Sequence, residues 1–207
     1  MNAKIVVVII VLSAGTGLMT SGFASNDAMR NNDRREIADD SRDKTDSAAS
    51  AKAFLQVYKV LMSPRCMNCH PAGDIPLQGD DSHLHTMSPK RGIDGHGLYA
   101  MKCANCHQPA NTPGAHRPPG NPKWGLPPSD MKMVFQGKTA RQLALQIRDY
   151  NQNGHKNKQQ LLEHARDTLV KAAWNMGEGR PAPPLTYTAF LKVWDEWINK
   201  GLYAPAR

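Results

Sequence analysis

The 207 residues carry 26 Lys and Arg against 18 Asp and Glu, a formal charge of +8, with 40% hydrophobic and only 6% aromatic residues. That length suits one domain, or one domain with tails, and the few aromatics limit the apolar core the polypeptide can build by itself. A basic balance ordinarily invites a nucleic-acid reading, but the start of the chain points to a compartment that holds little nucleic acid, so no nucleic-acid partner is expected.

Residues 1–24 have the three parts of a secretory signal. Lys4 supplies a positive start, the run from Ile5 to Leu12 is unbroken and apolar, and small residues lead to Gly22-Phe23-Ala24, a small-x-small cleavage site. The apolar run is eight residues long, well short of the ~20 needed to span a bilayer, so cleavage near Ala24 is expected in place of anchoring. No Cys sits near that point to accept a lipid, and no later segment is apolar enough to cross a membrane. The expectation is a periplasmic mature chain without a membrane span.

Residues 25–49 are crowded with charges and almost devoid of large apolar side chains. Such a segment buries too little to offset its ordering entropy and reads as a flexible polar leader. The ordered domain is expected over residues 50–207. Phe54, Val57, Tyr58 and Leu61 recur at i, i+3, i+4 and i+7, which places one apolar stripe on a helix. Pro64 is expected to end that helix just before Cys66. From Cys66 to Ser129, Gly, Pro, Asp, Asn and His dominate without periodicity. A loop region of that length is unusual in a compact domain unless something other than side chains fills the interior.

Three helices are expected after it. Thr139 to Tyr150 opens with a capping box, Thr139 with Gln142, and places Leu143, Ala144 and Ile147 on one side. Lys158 to Asn175 aligns Leu161, Ala165, Leu169 and Ala172, and stops near Gly177. On that wheel His164 falls about 120° from the apolar centre, beside Glu163 and Asp167, and reads as exposed. The last helix, from about Thr188 to Lys200, turns Phe190, Trp194, Trp197 and Ile198 inward and ends at Gly201.

All four cysteines lie in two pentapeptides, Cys66-Met67-Asn68-Cys69-His70 and Cys103-Ala104-Asn105-Cys106-His107, the one internal repeat in the chain. Composition predicts roughly 0.003 chance occurrences of Cys-x-x-Cys-His, and two are present. The spacing suits covalent haem attachment. Two thiols meet the two vinyl groups on one edge of the ring, and the next residue, His, is held under the iron as the proximal ligand. Structural disulfides, natural in an exported chain, leave His70 and His107 unexplained. A zinc site fares no better, since 33 residues separate Cys69 from Cys103, more than the ~15–20 of a zinc ribbon. Thioredoxin-like redox pairs would need a βαβ pattern that this chain lacks. Two haem c groups are therefore expected, and their propionates would offset up to four positive charges.

Each iron needs a sixth ligand or an open position. His83, His85, Met87, His96, His116, Met131, Met133, His155, His164 and Met176 are all available. His83, His85 and Met87 crowd five residues of the loop between the two motifs, and His85 is the preferred ligand there. The Pro-bounded run Leu126 to Met133 resembles loops that deliver a Met sulfur in single-haem cytochromes c, and Met133 is the choice in it. A Met sulfur raises the potential relative to a second imidazole, and either ligand closes the iron to substrates.

The run from Arg65 through Asp74, with Pro76 to His83, Leu126-Pro127-Pro128 and Met133 to Lys138, resembles a group of small exported dihaem cytochromes. They are often labelled isoquinoline 1-oxidoreductase subunits, and the likeness covers about Val57 to Gly201. The resemblance implies haem binding by Cys66, Cys69, His70, Cys103, Cys106 and His107. It does not bring the labelled activity, because a molybdenum hydroxylase of that kind needs a large cofactor subunit and iron–sulfur clusters, and no cysteine is left here for a cluster. At most this chain would accept electrons from such an enzyme. The expected fold is mainly α, with cytochrome c-like helices and long loops wrapped around two covalent haems. The expected function is one-electron transfer to a redox partner protein, not catalysis. A small dihaem peroxidase or a haem sensor with one open iron is the alternative.

Overall fold

The computed structural model describes Ala24–Ala206, so the signal expected over residues 1–24 lies almost wholly outside the described residues. The chain is mainly α, with a few very short strands. Two compact units divide at Ser41 and Arg42. No helix among the described residues is long and apolar enough to cross a membrane.

The first helix, α1, spans Ala24–Leu61. Its early part falls where a flexible leader is expected, yet the side chains there bury almost nothing. Arg34–Glu36 and Asp39–Thr45 are exposed. Closely spaced opposite charges such as Arg35 and Asp39 support a helix locally without any packing.

From Arg42 onward the helix belongs to the larger unit, and its apolar stripe behaves as the periodicity predicts. Phe54, Val57, Val60 and Leu61 are buried, and Tyr58 is half-buried with its hydroxyl donating to the Lys138 carbonyl at 2.8 Å. Pro64 does not merely stop this helix. It begins a short one, α2 over Pro64–Met67, at whose first turn a missing N–H costs nothing. The loop region that follows contains two antiparallel two-residue pairings, β1 (Leu77–Gln78) with β2 (His83–Leu84) and β3 (Gly97–Leu98) with β4 (Met101–Lys102). A single 3₁₀ turn covers Cys103–Asn105.

Helix α3 spans Ala140–Arg148, and Thr139 and Gln142 form the expected reciprocal capping box. The expected helix over 158–175 is two helices, α4 (Lys158–His164) and α5 (Thr168–Ala172). Asp167 breaks it by accepting from the Leu169 N–H at 2.9 Å as a new N-cap, a competition between side chain and backbone that apolar periodicity does not register. The last helix, α6, spans Tyr187–Asn199 with Thr186 as its cap and Gly201 beyond its end at φ 101°.

One apolar core joins α1, α3, α4 and α6. Trp197 is fully buried, and its ring lies 4.6 Å from that of Phe54. Around it, buried Ser50 donates to the Trp197 carbonyl at 2.9 Å and accepts from the Tyr203 N–H at 3.0 Å, while Trp197 Nε1 donates to the Tyr203 carbonyl at 3.1 Å. Trp194 Nε1 donates to the Leu161 carbonyl at 3.0 Å and so pins α4 to α6. The loops have no comparable core. Buried Arg91 ties them together instead, its guanidinium donating to the Pro127 carbonyl at 2.6 Å and the Gly73 carbonyl at 3.1 Å. Gly95 lets two loop strands pass at close range, since a Cβ there would lie 2.0 Å from the Leu126 carbonyl oxygen.

Trp197→Ala is expected to cost about 3–5 kcal/mol, the usual range for truncating a buried aromatic. The loss should appear as a lower denaturant midpoint at an unchanged slope.

Candidate functional site

His70 follows α2, and its ring orientation is fixed from two sides. Nδ1 lies 2.7 Å from the Met133 carbonyl oxygen. A carbonyl only accepts, so Nδ1 carries the proton and Nε2 keeps a free lone pair. The Phe135 ring stacks on the imidazole at 3.8 Å with 7° between planes. The loop is held to make both contacts possible, with the Phe135 N–H donating to the His70 carbonyl at 2.9 Å.

His107 repeats the plan with different residues. Its Nδ1 lies 2.7 Å from the Pro119 carbonyl oxygen, and the Trp124 ring stacks on it at 4.3 Å with 9° between planes. Both histidines of the two pentapeptides are thus set as Nδ1–H tautomers with Nε2 presented outward. That is the arrangement by which a second contact orients a metal-binding imidazole. Neither Phe135 nor Trp124 is singled out by the sequence. Each follows its own histidine by a different number of residues, and no spacing rule points to them.

Met133 belongs to this arrangement, but not as expected. Its main-chain carbonyl, not its sulfur, serves His70, and the residue adopts a left-handed φ of 46° where the loop turns there. Its Sδ sits 4.0 Å from the Gln146 amide nitrogen. The contact that the structure shows between Met133 and His70 is therefore made by the main-chain carbonyl, with the sulfur directed to Gln146.

His85 meets His107. The two ring centroids are 6.4 Å apart with 67° between planes. A metal bonded to two imidazole nitrogens at about 2 Å each, with each nitrogen about 1.1 Å from its ring centre, sets the centroids about 6.3 Å apart. At that separation and angle the rings meet edge to face, and the distance is also one that an ion shared by two imidazoles would set. The Met87 N–H approaches His85 Nδ1 at 3.3 Å, a contact that needs the proton on Nε2. Metal binding through Nε2 would move that proton to Nδ1 and release the Met87 amide.

The four cysteines are free thiols. Burial pushes Cys66 up to about 12, with its Ser63 hydrogen bond opposing. Cys69 is pushed up to about 11, by burial first, with the Cys103 thiol adding to it. Such groups stay protonated near neutrality and are poor thiolate ligands or disulfide exchangers. Among the described residues, no three or more His, Cys, Asp or Glu side chains converge to hold a metal ion.

A cavity of about 600 Å³ opens beside the first motif, lined by Cys66, Cys69, His70 and Met133, with His164 among its other walls. A smaller one, about 380 Å³, adjoins His107 and Trp124. The second site is the more open, with Ala104, Asn105 and Cys106 exposed. Paired thiols, an imidazole with a free Nε2 and an adjacent ring-sized void fit a covalently attached haem at the first motif. The His85–His107 pair fits one at the second.

No protein-family model, curated protein or solved structure matches this chain. The functional reading rests on the geometry above.

Burial pushes His70 down to about 4, opposed by the bond to the Met133 carbonyl and reinforced by His164 and Arg91. The folded value lies below the ordinary ~6.5, so in the haem-free chain the unfolded state binds the extra proton. His70's contribution to stability should be intact above about pH 6.5 and fall as pH drops toward 4. Denaturant titrations at pH 7 and pH 4.5 should show a larger loss for the wild type than for His70→Gln.

Proposed function

We propose that this chain is an exported c-type cytochrome that carries two covalent haems and passes single electrons between partner proteins in the periplasm. The observation that carries the reading is the His85–His107 pair, 6.4 Å between centroids, beside a Cys-x-x-Cys-His motif whose histidine is already set in the tautomer that a metal needs. The repeat of the same plan at His70 supports it.

A haem so placed supplies reversible one-electron exchange between ferric and ferrous iron. The chain supplies everything around it. Cys66 with Cys69, and Cys103 with Cys106, tether one ring edge each, every S–H adding across a vinyl double bond without need of an oxidant. The Met133 and Pro119 carbonyls hold the proton on Nδ1 and raise the basicity of Nε2. Phe135 and Trp124 stop the imidazoles from rotating. The exposed Cys106 edge favours exchange with a partner. The basic balance left after cleavage, 25 Lys and Arg against 18 Asp and Glu with up to four charges offset by propionates, favours an acidic partner surface.

A second reading, a small dihaem peroxidase or haem sensor, draws on the first site. There the 600 Å³ cavity leaves room for a small ligand if the iron lacks a sixth donor. His85 closes the second site to such chemistry.

Purified protein from an export-competent host should gain the mass of two haems, resist haem extraction by acid and acetone, and show no thiol that alkylates after denaturation, with or without reductant. Thiols that appear only after reduction would favour disulfides and overturn the reading. Cys66→Ala with Cys103→Ala should lose both stable attachments, and a covalent haem retained in that double variant would contradict the assignment. Loss of His85 alone should convert one haem to a high-spin form.

A further inference from the structure

The first site has a proximal histidine and a cavity, and with the Met133 sulfur directed to Gln146 it has no distal ligand assigned. The cavity walls offer His96, His155, His164, Met131 and Met176. His96 is engaged elsewhere, its Nδ1 3.0 Å from the Trp124 carbonyl at the wall shared with the smaller cavity. His155 is exposed and leans on the Tyr150 ring at 5.2 Å. Met131 and Met176 sit on irregular segments outside every helix and strand.

His164 differs. It is the last residue of α4, a helix anchored by buried Leu161 and followed by buried Ala165. The helix is pinned by the Trp194 bond to the Leu161 carbonyl and by the bidentate pair of Arg166 with Asp195, 2.6 and 3.1 Å. Ligands on fixed elements hold geometry better than ligands on loops. No hydrogen bond occupies its ring among the described residues, unlike His70, His96 and His107. The residue is exposed and is also one of the walls of the cavity beside His70, so part of its surface faces that cavity. His164 and His70 line the same cavity. The helical wheel puts His164 on the polar side because the wheel measures distance from apolar side chains, and here the space to be filled belongs to a cofactor.

We propose that His164 is the second axial ligand of the haem tethered at Cys66 and Cys69, which makes both irons bis-histidine, six-coordinate and closed. The proposal rests on the dihaem reading and deepens it. With both irons closed, the carrier reading stands and the open-iron alternative loses its site.

Holoprotein variants compared by optical and electron paramagnetic resonance spectra, carbon monoxide binding and redox titration test it. Wild type should be entirely low-spin and bind no carbon monoxide. His164→Ala should turn one haem high-spin and take up one carbon monoxide per chain, with the other haem unchanged. His164→Met, which keeps a ligand and guards against a folding failure in the alanine variant, should stay low-spin with shifted resonance g-values and one potential raised. Met131→Leu and Met176→Leu should match wild type. Wild-type g-values and potentials in His164→Met, a wild-type protein that already binds carbon monoxide, or a high-spin haem in either leucine variant would overturn the assignment. Absence of covalent haem from the wild type would instead overturn the reading on which it rests.

Discussion

The structure depends on two hydrogen bonds, from His70 Nδ1 to the Met133 carbonyl and from His107 Nδ1 to the Pro119 carbonyl, each 2.7 Å. Each settles at once which nitrogen holds the proton, which is free, and which way the free one points. A neutral imidazole on a loop would otherwise exchange tautomers and rotate. The loops after each motif can be understood as the means of bringing a carbonyl and an aromatic ring back onto one histidine. Phe135 and Gln136 both donate to the His70 carbonyl, so the segment that carries the acceptor is registered on the residue it serves. Asn121 does the same from the other motif, donating to the Gln108 carbonyl.

The rest of the molecule supplies rigidity at a distance. The apolar core lies among α1, α3, α4 and α6, with Phe54, Phe190, Trp194 and Trp197 on the helices and Phe135 reaching in from the loop region. Between Cys66 and Ser129 the buried side chains are few, and one of them is the charged Arg91, held by carbonyls. Burying a guanidinium is costly unless it is bonded. A segment organised in this way draws little of its stability from side-chain burial, which is why its composition reads as loop and why a bulky tethered group suits it.

Periodicity was sufficient wherever polypeptide packs on polypeptide. The stripe through Phe54, Val57 and Leu61, the capping box at Thr139 and the inward face of Phe190, Trp194, Trp197 and Ile198 all lie where spacing puts them. It failed at Asp167, where one side chain outcompetes the helix. At the site, residue chemistry located the right segments but not always the right atom. The Pro-bounded loop does serve His70, through the carbonyl of Met133 and not its sulfur, and no residue-type pattern encodes a main-chain acceptor. His85 was singled out because three potential ligands in five residues are rare in a loop. Its meeting with His107 depends on a turn after β2 that composition does not specify.

The two sites are alike in plan and unlike in enclosure, and that difference follows from where each motif sits relative to the core. The first lies on α2, directly after the buried end of α1, so its histidine is walled by α3, α4 and the Phe190–Trp194 face of α6. The second lies on a 3₁₀ turn at the end of a two-residue strand, with loop on every side and Cys106 in the open. A low-dielectric surround disfavours the more highly charged oxidation state, whereas water tolerates it. On the proposed reading the enclosed site therefore holds an electron more tightly than the open one. Electrons arriving from a partner at the exposed edge would then run inward, with nothing but the difference in burial to direct them.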